Sequence, residues 1–81
     1  MTKEEIKDQI LPIISSLAYT SDIQLESSLE NDLCFDALDM VECMMYIEDD
    51  FNISIPDDKW NERVKTVNDV IEFVAEILEQ Q

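Results

Sequence analysis

The chain has 81 residues, 46% of them hydrophobic, with 5 basic against 20 acidic residues and a net charge of −15; it is too short for more than one thin-cored domain over residues 1–81 and too apolar to be disordered. Histidine and glycine are both absent, which removes imidazole-bound zinc, Ser-His and Cys-His nucleophile pairs, phosphate-cradling glycine loops and tight hairpin turns. The charge sign opposes nucleic acid and anionic membrane, no apolar run reaches bilayer length, and the first residues lack the apolar core of a secretion signal, so the expectation is a cytoplasmic, monomeric protein with Cys34 and Cys43 as reduced, buried, structural thiols.

Taken in chain order, helical periodicity dominates. Thr2 to Glu5 has the pattern of a capping box, in which a hydroxyl and a glutamate each accept from the other's backbone. Ile6, Ile10, Ile13, Ile14 and Leu17 follow at helical spacing, predicting a helix over Lys3–Leu17. Pro12 removes one amide donor inside it and predicts a bend there. Residues 18–36 are rich in Ser, Asp, Glu and Asn, with single apolar residues at Ile23, Leu25, Leu29 and Leu33. That pattern predicts a long ordered loop pinned to the core by those four side chains. A second helix is expected over Ala37–Phe51, with Asp36 as N-cap and Asp39 favourably placed at the positive end of the dipole. Asn52 to Pro56 breaks it. One short helical turn is expected over Asp57–Asn61, with Trp60 facing inward. Thr66 caps the last helix, whose buried stripe is Val67, Val70, Ile71, Val74, Ile77 and Leu78. The expected fold class is therefore all-α: a small four-helix bundle of three main helices and one short one, with a long first loop.

The second helix carries two apolar stripes. With Met40 at zero and about 100° per residue, Cys43, Met44, Ile47 and Phe51 fall within about 60° of it. Leu38, Val41 and Met45 centre about 130° away, flanked by Glu42 and Asp49 on one side and Glu48 on the other. The wheel alone leaves two readings open: a helix buried on most sides, or an exposed apolar strip rimmed by carboxylates, of the kind that marks docking surfaces. Charge favours the second. No Lys or Arg occurs between Lys7 and Lys59, whereas twelve acids lie from Asp22 to Asp58. A field of one sign this extensive suits steering toward a basic partner.

The segment Asp32-Leu33-Cys34-Phe35-Asp36-Ala37-Leu38-Asp39-Met40-Val41-Glu42 resembles the prosthetic-group motif of acyl carrier proteins, usually Asp-Leu-Gly-x-Asp-Ser-Leu-Asp-x-Val-Glu. The similarity continues through Ile47-Glu48-Asp49-Asp50-Phe51-Asn52-Ile53-Ser54-Ile55-Pro56-Asp57 and resumes at Thr66-Val67-Asn68-Asp69-Val70. It spans roughly Ile23 to Leu78. The resemblance implies a four-helix bundle that is not an enzyme but carries acyl chains as thioesters on a 4'-phosphopantetheine arm, for fatty acid or related biosynthesis. The arm is joined through a phosphodiester to a serine at the start of the second helix, a position suited to phosphate by its free amides and dipole. The acyl chain would shelter near Met40, Met44 and Ile71. Position by position, the resemblance assigns docking to Asp36, Leu38, Asp39, Val41, Glu42, Met45, Glu48, Asp49, Ile55 and Asp57. The implied partners are the basic surfaces of a phosphopantetheinyl transferase and of acyl-chain synthesis enzymes.

Two departures stand out. Ala37 occupies the position of the attachment serine and has no hydroxyl, so no arm can be joined there and the chain is expected to be locked in the unmodified apo form. Two origins fit this: a Ser→Ala replacement that keeps a carrier unmodified, which the intact remainder of the motif favours, or a natural acidic docking protein that has lost the arm and binds basic partners through the second helix. Cys34-Phe35 replaces the usual glycine and small residue, costing backbone freedom at Cys34 and placing an aromatic ring, expected to anchor the loop in the core, at Phe35. The acids do not compose a calcium loop. Counting from Asp50, Ile55 stands where glycine is required and Asn61 where a bidentate Glu is required, so no metal site is expected.

Overall fold

The computed structural model describes residues 1–80. Four helices follow in order: α1 Lys3–Leu17, α2 Ala37–Phe51, α3 Asp57–Arg63 and α4 Val67–Glu79. α1 packs against both α2 and α4, and all four helices feed one hydrophobic core.

The capping box of α1 forms as its sequence requires. Thr2 Oγ1 accepts from the Glu5 amide and Glu5 Oε1 accepts from the Thr2 amide at 2.9 Å. The Thr2 amide bond also holds the Glu5 carboxyl below its ordinary pKa. Ile6, Ile10, Ile13 and Ile14 are buried. α1 runs unbroken through Pro12. The bond lost is the one from residue 12 to the Asp8 carbonyl, and both residues lie exposed, where water replaces the missing donor.

The long first loop is held by backbone as much as by side chains. The Leu29 amide donates to the Lys65 carbonyl at 3.0 Å, the Val67 amide to the Ser27 carbonyl at 3.1 Å, and the Asn68 amide to the Leu25 carbonyl at 2.8 Å. An isolated antiparallel bridge joins Ser28 to Thr66. Leu29 and Leu33 are fully buried and Ile23 packs partly against the core. Leu25 corrects the expectation: its side chain is 39% exposed, and it pins the loop only through its carbonyl. Phe35 is buried, as expected of a loop anchor.

α2 ends at Asn52, which adopts the left-handed conformation with φ 55°, a state its short polar side chain tolerates. α3 runs two residues beyond the expected turn, to Arg63. Arg63 explains the extension. Its guanidinium makes a two-pronged contact with the Glu76 carboxylate of α4 and lies 5.1 Å from the centre of the Phe73 ring. Phe73 in turn packs against Trp60, with centroids 6.3 Å apart. Phe73 is buried although it lies outside the expected stripe of α4, because α3 covers that flank. Ile77 and Leu78, expected to be buried, are only half-buried near the end of α4. Val67, Val70, Ile71 and Val74 are buried. Thr66 and Asp69 repeat the reciprocal cap of α1.

Candidate docking and attachment site at the start of helix α2

Asp36 and Asp39 build the entrance to α2. Asp36 Oδ1 accepts from the Asp39 amide at 2.8 Å, and Asp39 Oδ2 accepts from the Asp36 amide at 3.2 Å. The sequence pointed to Asp36 as a cap and Asp39 as a dipole partner; the reciprocal bond of Asp39 is an addition. A capping box leaves the first two helical amides, here those of Ala37 and Leu38, without intrahelical acceptors, so this end of α2 keeps free donors and partial positive charge. Ala37 is exposed at the first helical position. Its methyl carries no oxygen.

An open groove of about 650 Å³ adjoins this position. Phe35, Met40, Val41 and Val64 give it an apolar lining, and Lys65 supplies its one cation. Lys65 Nζ donates to the Asn61 carbonyl at 3.1 Å. A smaller cavity of about 130 Å³ lies between α2 and α3, against Met44 and Trp60. Trp60 Nε1 is buried without a hydrogen-bond partner. Of the three residues assigned to shelter cargo, Met40 and Met44 line these spaces, whereas Ile71 is sealed in the core at 4% exposure and lines neither.

The second apolar stripe of α2 faces outward. Leu38 is 64% exposed, Val41 47% and Met45 54%. Asp36, Asp49 and Asp57 are exposed, while Asp39, Glu42 and Glu48 are half-buried. Among the described residues the ion pairs join Lys3 to Glu72, Lys7 to Glu4 and Arg63 to Glu76. None involves an acid of α2, so the negative field along this helix is uncompensated.

Two assigned residues behave differently from a free docking rim. Ile55 is a correction: it is only 4% exposed, because the loop after α2 folds its side chain into the core. Glu48 also works internally. Its Oε2 accepts from the Ile55 amide at 2.8 Å, fastening that loop to α2. Tyr46, 46% exposed, was not among the residues read from the sequence. It sits across the acidic flank from Met45 in a shallow depression with Pro12 and Ile13 of α1. The wheel that places Met45 outward also places Tyr46 beyond Glu42, so the signal was present.

The two thiols differ sharply. Cys34 corrects the expectation of a buried thiol: it is exposed with φ 60°, because it sits in a left-handed turn of the kind that favours glycine and turns its side chain to solvent. Cys43 is buried, and burial pushes its thiol up to about 12, which leaves it an inert core residue.

The chain is similar to known proteins in sequence and in fold. Residues 8–74 match the family described as phosphopantetheine attachment site. The chain is 40% identical to the acyl carrier protein of Acidothermus cellulolyticus over 77 residues, 93% of this chain and 90% of that one. It is 48% identical to the acyl carrier protein of Porphyromonas gingivalis over 58 residues, 72% of this chain and 73% of that one. Among solved structures, an assigned acyl carrier protein of Mycobacterium tuberculosis superimposes with a TM-score of 0.78 at 31% identity, covering 86% of this chain and 95% of that one. With its motif, its helix order and its outward-facing second helix accounted for, the chain belongs to the acyl carrier protein family of phosphopantetheine-dependent carriers.

Proposed function

We propose that this chain docks onto the basic faces of a phosphopantetheinyl transferase and of acyl-chain synthesis enzymes through the strip Leu38, Val41 and Met45, and that Ala37 keeps it in the armless form. The setting is fatty acid or related biosynthesis in the cytoplasm. The observation that carries the reading is the exposed apolar strip of α2, rimmed by carboxylates that no internal base neutralises. An apolar centre supplies affinity, and an uncompensated acidic rim supplies steering and orientation. Asp49 on α2, Asp57 at the start of α3 and the capping residue Asp36 are the exposed acids for that rim. Asp39, Glu42 and Glu48 contribute from half-buried positions.

The surroundings of residue 37 suit a phosphate-linked arm and the residue itself does not. The free amides of Ala37 and Leu38 and the adjoining groove offer room and partial positive charge. The methyl of Ala37 offers no nucleophile. Restoring the oxygen tests the assignment. The Ala37→Ser protein is incubated with coenzyme A and a broad-range transferase, and its intact mass is measured. Gain of one phosphopantetheine group is expected, with none on the Ala37 chain. Failure of Ala37→Ser to gain mass with several such transferases favours the second reading, a docking protein that never carries an arm, which Ala37 itself supports.

A further inference from the structure

We propose that the Ala37 chain is a dead-end competitor of arm transfer: it occupies the carrier site of a phosphopantetheinyl transferase and blocks modification of serine-bearing carriers. This rests on the docking reading above and adds a regulatory consequence to it. Enzymes that act on cargo grip the arm as well as the protein. The enzyme that installs the arm is the one partner class whose proper substrate is the armless form. An armless lookalike therefore competes best at that step.

Three observations make the lookalike faithful. The cap of α2 is built from Asp36 and Asp39 alone, so the helix entrance does not depend on the side chain of residue 37. Ala37 is exposed and smaller than serine by one oxygen, so it introduces no clash where a serine would fit. The strip Leu38, Val41 and Met45 is exposed, and the acids beside it have no internal basic partner. Recognition is thus left intact while reactivity is removed.

The chemistry defines where the complex stalls. In a serine carrier, the hydroxyl oxygen attacks the coenzyme A phosphorus nearest pantetheine. A new phosphorus–oxygen bond forms, the bond to the 3',5'-ADP half breaks, and the hydroxyl proton passes to a base of the enzyme. A methyl group has no lone pair to begin this exchange. Coenzyme A remains whole, and the enzyme holds both ligands without turnover.

The test uses the Ala37→Ser form of the same chain as substrate, so that substrate and competitor share every other surface residue. Arm transfer is followed by intact mass while the Ala37 chain is added at increasing concentration, and direct binding to the transferase is measured by calorimetry. The expected result is inhibition competitive with the serine form, with an inhibition constant within about tenfold of that form's KM, since one hydroxyl hydrogen bond is the only contact removed. Met45→Lys in the Ala37 chain should weaken inhibition by about tenfold or more, because it replaces an apolar contact with a charge that repels a basic face. Circular dichroism checks that this exposed substitution leaves the helices intact. An undiminished rate at tenfold excess, despite calorimetric binding, overturns the inference and leaves docking standing. Absence of binding overturns both. Equal inhibition by the Met45→Lys chain would reveal a nonspecific polyanion effect and also overturns it.

Discussion

Cys34 stands at φ 60° immediately before the α2 cap, and replacing it with glycine should stabilise the protein. An L-residue in the left-handed region costs about 1–2 kcal/mol. Glycine removes that cost but loses about 0.5–1 kcal/mol more entropy on folding. The side chain of Cys34 is exposed, so little packing is lost. With both values at mid-range the balance is a gain of about 0.75 kcal/mol for Cys34→Gly, which raises the melting midpoint by roughly 3–6 °C in a domain of this size. Cys34→Ala keeps the strain and should remain within about 0.5 kcal/mol of the parent. Cys34→Val should be less stable than either, because β-branching disfavours positive φ. Equilibrium unfolding in urea reads all three variants, with the single, buried Trp60 as fluorophore. If Cys34→Gly matched or fell below the parent at an unchanged urea slope, backbone strain would not be what this turn stores.

Two further perturbations address the loop after α2 and the α3–α4 contact. Glu48→Ala strips the Ile55 amide of its acceptor in a half-buried setting and should cost about 1–3 kcal/mol; Glu48→Gln keeps an acceptor oxygen and should cost less, and hydrogen exchange at the Ile55 amide should quicken only in the alanine variant. Arg63 holds the Glu76 carboxyl below its ordinary pKa, chiefly by hydrogen bonding. A lowered folded-state pKa contributes stability that is complete above the ordinary carboxylate value and is lost as pH falls through the lowered one. Glu76→Gln should therefore lower the melting midpoint at neutral pH, and its difference from the parent should shrink on acidification below the ordinary carboxylate range; a difference that grows instead would contradict the sign.

The three main helices were legible because each is specified locally. Thr2, Asp36 and Thr66 each stand before an acid three residues on, and the apolar residues that follow keep helical spacing. What the sequence concealed depends on contacts between distant segments. Leu25 resembles its neighbours Leu29 and Leu33 in hydropathy, yet only its carbonyl is engaged, by the Asn68 amide. Nothing within residues 18–36 announces a bridge to the α3–α4 connection. Phe73 falls off the main stripe of α4 and is buried only because Arg63 and Trp60 cover it. Ile55 was assigned to docking by the resemblance, but the turn that Glu48 fastens directs it inward.

The two stripes of α2 follow from bundle geometry. A small bundle supplies neighbours for one face of this helix, and Cys43, Met44 and Ile47 occupy that face. Leu38, Val41 and Met45 are then left in water, where such residues on a folding-only criterion would be polar. Their exposure lacks a structural return, which is the argument for a functional one. The rim sharpens it. Glu48 is half-buried as well as engaged by the Ile55 amide, so the acids most exposed to a partner are Asp49 near the C-terminus of α2, Asp57 on α3, and Asp36 at the N-cap, whose Oδ1 is used by the cap. On the docking reading, a partner's cations would bracket the apolar strip from its two ends rather than line it evenly. Such bracketing fixes the direction in which the helix is read and thereby presents residue 37 to the enzyme, whether it bears a hydroxyl or, as here, a methyl.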